Sequence, residues 1–106
     1  MKSTNKKTKV ITICGSLKFK EEMMKVAMEL ELEGNVILIP IFPINDKSVC
    51  SLEEGLMLGQ MHKEKIKMSD AIFVVNVNGY IGESTKSEIE YARSLNKKIL
   101  SLEPLS

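Results

Sequence analysis

The chain has 106 residues, enough for one domain with a single buried core. With 43% hydrophobic and 27% charged residues and a formal net charge of +1, it gives no electrostatic reason to expect nucleic acid or a membrane surface as partner. No run approaches the roughly 20 apolar residues that span a bilayer, and the two cysteines, Cys14 and Cys50, lack paired or metal-like spacing. A reduced, cytoplasmic protein is the default expectation.

Residues 1–8 hold part of the basic charge and are followed by no signal-like apolar stretch, so they are expected to form a flexible basic tail. Residues 9–106 are then the single domain. KVITIC (Lys9–Cys14) is a short β-branched run stopped by Gly15-Ser16 and reads as a buried strand. Phe19, Met23, Val26, Ala27 and Leu30 form a helical stripe closed by Gly34. NVILIP (Asn35–Pro40) reads as a second buried strand, and Ile41–Cys50 as a loop punctuated by Pro43 and Asn45-Asp46. A helix is predicted over Leu52–Met68, weakened at Gly55 and Gly59. AIFVVN is the third strand, NGYIGES a loop, TKSEIEYARSLN the third helix and KKILSL the fourth strand.

Strands and helices alternate, and the strands are continuously apolar. That combination predicts an α/β fold: a small, doubly wound, Rossmann-like parallel sheet of about four strands with helices on both faces. The expected strand order is 2-1-3-4, with ligands beyond the carboxyl ends of the strands at the switch between the first and third. Three loops lie there: 15–18, 41–51 and 77–85. In the first, Gly15 permits a tight turn, while free N–H groups, the Ser16 hydroxyl and Lys18 offer a place for an anion. A plain strand-to-helix turn explains the same residues equally well. No glycine-rich dinucleotide or triphosphate loop is present.

The third loop carries Gly79, Tyr80, Gly82 and the hydroxyls of Ser84 and Thr85, either of which is a natural N-cap. Capping does not account for Glu88, which shares a helical row with Tyr91, Ala92 and Leu95 and so points inward. Near a helix start its carboxyl is expected to have a lowered pKa and to be an ionised nucleophile. Bonding to loop N–H groups or pairing with a lysine is the alternative. Asp70 precedes the third strand and faces away from the crevice, which favours a turn or capping role. His62, the only histidine, has Leu58 and Ile66 one turn to either side. The seven methionines and Cys14 read as core filling.

Taken together, ICGSLK, SDAIFVV, EIEYA and NKKIL resemble the nucleoside 2-deoxyribosyltransferase family, and within it the 2'-deoxynucleoside 5'-monophosphate N-glycosidases. The resemblance implies cleavage or transfer of an N-glycosidic bond on a (deoxy)nucleoside or its 5'-monophosphate, with Glu88 as nucleophile. It places Ser16 and Lys18 on a 5'-phosphate, Gly15 in the same loop, and Gly79, Tyr80, Gly82, Ser84 and Thr85 around the sugar or phosphate. His62 falls where the family carries a carboxylate; its ordinary pKa near neutrality makes it the candidate for proton transfer or base orientation. Thr12 falls on a tyrosine of some members, and Glu90 on a glycine. No cofactor and no metal are implied, since no His, Cys and carboxylate cluster has ligand spacing, and a homodimer is expected. The alternative is a non-catalytic module that binds a nucleotide or a nucleotide-derived signal in the same crevice.

Overall fold

The computed structural model describes residues 8–42 and 51–105. All but one residue of the expected basic tail, and most of the loop at 41–51, including Cys50, lie outside them. Four parallel strands, β1 (Val10–Cys14), β2 (Val36–Leu38), β3 (Ala71–Val74) and β4 (Lys98–Ser101), form one sheet in the order β2-β1-β3-β4. Three helices connect them: α1 (Lys20–Leu32), α2 (Leu52–Met68) and α3 (Glu83–Ser94). The predicted order and fold class are those observed. Among the described residues, no helix is long and apolar enough to cross a membrane.

Alternation along β1 and β3 divides the core in two. Ile13 and Val75 pack with Met23 and Val26 of α1 on one face, and Cys14, Ile72 and Val74 pack with Ile66, Ile89 and Ala92 of α2 and α3 on the other. Burying an aliphatic side chain as completely as Ile13, Ile66 or Ile72 contributes about 1.5–3 kcal/mol. β2 corrects the sequence reading. It is a three-residue edge strand with Val36 exposed and Ile37 and Leu38 half-buried, because edge position, not composition, decides how much of an apolar run is covered. α2 is continuous through Gly55 and Gly59, started by a capping box in which the Ser51 hydroxyl accepts from Glu54 N–H and the Glu54 carboxylate accepts from Ser51 N–H.

Asp70 ties three strands together at their amino ends. Its carboxylate accepts from Val10 N–H at 2.8 Å, its own N–H donates to Val10 C=O, and its carbonyl accepts from Lys98 N–H. Asp70→Ala is therefore expected to cost about 1 kcal/mol, a fall of roughly 5 °C in melting temperature, without altering ligand binding at the opposite end of the sheet. Thermal unfolding checks this; an unchanged melting temperature would remove the clamp from the account of β1.

Candidate functional site

At the carboxyl end of β1 the chain turns through Gly15 into a single 3₁₀ turn, Leu17–Phe19, that runs into α1. Gly15 is required by close approach: a Cβ there would meet the Val75 carbonyl oxygen at 3.0 Å and Met23 Sδ at 3.2 Å. The Ser16 hydroxyl accepts from Lys18 N–H. The chain after β3 is held from a distance. The Asn76 side-chain amide donates to Glu103 C=O and accepts from Glu103 N–H, while the Glu103 carboxylate accepts from Asn78 N–H at 2.9 Å. Gly79 adopts φ +78°, which admits glycine readily. These contacts deliver the chain to Gly82, the N-cap of α3.

Gly82 is a correction to the expected cap at Ser84 or Thr85. No side chain caps α3, and Thr85 is turned inward and buried. Glu88 consequently sits beyond the first turn, where the helix start no longer governs its ionisation. Burial governs instead, raising its pKa to about 7, with the Cys14 thiol and Lys63 pulling the other way. The expected lowering is thus reversed. His62 is also corrected in its ionisation: burial, reinforced by the positive charge of Lys65, lowers its pKa to about 4, so the imidazole is neutral at neutral pH. Its Nδ1 is buried without a hydrogen-bond partner among the described residues.

Glu88, His62 and Cys14 converge. His62 Nε2 lies 3.7 Å from Cys14 Sγ and 3.8 Å from Glu88 Oε1. Beside them opens a cavity of about 500 Å³, to which Gly15, Ser16, His62, Gly82, Ser84, Thr85 and Glu88 all contribute, with Ile41, Leu58 and Met61 as apolar wall. Lys18, Gly79 and Tyr80 stand outside it. Lys18 Nζ lies 3.6 Å from the centroid of the Tyr80 ring, which meets Phe19 edge-on at 5.8 Å, so the three side chains bridge the first and third loops. Gly79 and Tyr80 line a separate depression with Lys86, Glu90 and Arg93.

Sequence reasoning missed Cys14 and Lys65. Cys14 is the last residue of β1 and shares a sheet face with Thr12, whose hydroxyl donates to Lys65 C=O on α2. Lys65 lies one turn after His62; it lines the cavity and donates from Nζ to Ile39 C=O at 2.7 Å. Position at the carboxyl end of a central strand is the signal that could have found Cys14.

The fold and this crevice define a small, doubly wound α/β domain with its pocket at the switch between β1 and β3. No family model and no curated protein matches the chain. Among solved structures it is similar to a 2-desoxiribosyltransferase from Leishmania mexicana, with a TM-score of 0.64 and 22% identity, covering 88% of this chain and 63% of that one. The chain thus spans less than two thirds of that structure's length. Its fold is nucleoside 2-deoxyribosyltransferase-like.

Proposed function

We propose that this protein cleaves or transfers the N-glycosidic bond of a (deoxy)nucleoside or its 5'-monophosphate. The observation that carries this reading is the half-buried Glu88 carboxylate, facing a nucleoside-sized cavity at the carboxyl ends of β1 and β3. Its ionised oxygen attacks the anomeric carbon, and the bond to the base breaks with its electron pair leaving on the base, which takes a proton from solvent. Water, or a second base, then displaces the carboxylate from the sugar and regenerates Glu88. Neutral His62 orients the carboxylate or the base; with a pKa of about 4 it is not the acid at neutral pH. The apolar wall at Ile41, Leu58 and Met61 suits a base, and the hydroxyls of Ser16, Ser84 and Thr85 suit the sugar and its 5' substituent. The first-turn N–H groups of α3, left without a side-chain cap beside the cavity, add to the preference for an anion there.

Incubation with a panel of nucleosides and 5'-monophosphates, followed by chromatography for free base, tests the reading; binding without base release would favour the non-catalytic module. Lys18, close outside the cavity, is in this reading the charge that swings onto a 5'-phosphate. Monophosphates should bind better than nucleosides, and Lys18→Ala should remove most of the preference, about 10-fold or more. Equal affinity of the wild type for both ligand types by calorimetry would contradict the phosphate assignment. For the expected homodimer, the exposed Leu52, Leu56 and Met57 of α2 supply an apolar surface.

A further inference from the structure

We propose that Cys14 Sγ, His62 Nε2 and Glu88 Oε1 form a binding site for a borderline-soft divalent metal ion of the zinc type. The three ligand atoms lie within 4.8 Å of one another, with sulfur to nitrogen at 3.7 Å and nitrogen to oxygen at 3.8 Å. Tetrahedral zinc at its usual bond lengths needs ligand separations of about 3.3–3.6 Å, so the two edges at His62 exceed it by only a few tenths of an ångström. The sulfur–oxygen edge, within 4.8 Å, closes by about 1 Å at most through side-chain rotation. Thiolate, imidazole and carboxylate make a donor set that suits zinc and excludes the hard cations calcium and magnesium.

Each ligand stands on a regular element. Cys14 ends β1, while His62 and Glu88 face each other from α2 and α3, so the arrangement is held by the packing of the sheet face and not by a loop. Nε2 is the imidazole nitrogen turned toward both other ligands. On binding, Cys14 gives its S–H proton to solvent, Glu88 gives up the proton wherever its carboxyl carries one, the aqua ion loses water, and no electron is transferred. Thiolate and carboxylate together balance the dication, so the buried centre carries no net charge, which limits the penalty for burying it. His62 and Glu88 both border the cavity, so the fourth coordination position opens toward it and takes water or a ligand atom. The chain separations between these residues hide the site from any search for ligand spacing.

A metal held here occupies the Glu88 carboxylate. If Glu88 is the nucleophile proposed above, zinc is an inhibitor of base release; that consequence rests on the functional reading, whereas the binding does not. The test is titration of the reduced full chain with Co²⁺ as an optical probe, followed by displacement with Zn²⁺. The expected result is one equivalent bound, with a thiolate-to-cobalt charge-transfer band and intense tetrahedral ligand-field bands. Cys14→Ser should lose the charge-transfer band and weaken binding by roughly 100-fold or more, since even outer partners of ligands are worth about 10–100-fold. Glu88→Gln should keep that band with weakened affinity, and Cys50→Ser should change nothing. Absence of binding by the wild type, a thiolate band that survives Cys14→Ser, or unchanged affinity in Glu88→Gln would each overturn the site. Because the titration requires no turnover, its failure is distinct from failure of the glycosidic reading.

Discussion

Glu88→Gln should lower base release by on the order of 10⁴-fold or more, the scale on which a lost nucleophile is felt, while ligand binding is largely kept. Glutamine preserves the shape and one acceptor oxygen but does not form the glycosyl ester. The same substitution replaces a carboxyl whose charged form is disfavoured by burial, so stability above pH 7 should hold or rise. Loop anchoring makes the opposite pair of predictions, a less stable variant with its activity retained. In the wild type the rate should climb as pH rises through about 7, because only the ionised carboxylate attacks and burial has placed its titration there. His62 titrates near 4 and contributes no step at neutrality, so His62→Ala should retain this limb, moved to lower pH as water reaches Glu88.

The second large effect is on stability, where Glu88 and His62 act in opposite directions. The Glu88 pKa is raised from 4.5 to about 7 on folding; between those values the folded chain keeps a proton that the unfolded chain has lost. Its contribution is therefore full below about pH 4.5 and is lost as pH rises to 7. The His62 pKa is lowered from 6.5 to about 4; between those values the unfolded chain takes up a proton that the folded chain refuses. Its contribution is full above 6.5 and is lost as pH falls to 4. Each shift corresponds to about 3 kcal/mol, and over their shared range they nearly cancel in the wild type. Single substitutions should expose them. Measured as a difference from wild type by denaturant unfolding, Glu88→Gln should become progressively less stable as pH falls from 7 to 4.5. His62→Gln should instead become less stable as pH rises from 4 to 6.5. Parallel profiles for all three proteins would show that burial does not control these two groups.

Much of this architecture is legible in the residues because the physics behind it is local. The runs at Ile11–Cys14 and Ala71–Val75 are, Thr12 apart, apolar without alternation, as expected of central parallel strands, and alternation with helices leaves few ways to order the sheet. The spacing of Glu88 from Ala92 likewise places both on the inner row of α3, and Ala92 is fully buried. What escapes is what depends on neighbours distant in the chain. An edge strand and a central one have similar sequences, so the exposure of Val36 is invisible until β2 is known to pair on one side only. Ser84 and Thr85 are good caps by type, yet Gly82 starts α3 and Thr85 is spent on the interior. The direction of the Glu88 shift follows from its burial where α2, α3 and β1 meet, and no helical row reveals that packing. Asn76 reads as the end of a strand, and its pairing with Glu103 emerges only when the chain returns beyond β4.

The most direct test of the glycosyl-enzyme is to trap it. The fluorine of a 2-fluoro-2-deoxyribosyl nucleoside or its 5'-monophosphate destabilises the oxocarbenium-like transition states of both steps, and a good leaving base keeps formation of the ester faster than its breakdown, so the adduct accumulates for mass spectrometry. The expected result is a single added glycosyl mass on the peptide that contains Glu88 in the wild type, and none in Glu88→Gln. Release of base from that substrate with the label on another residue, or with no label on a protein that turns over ordinary nucleosides, would contradict nucleophilic attack by Glu88.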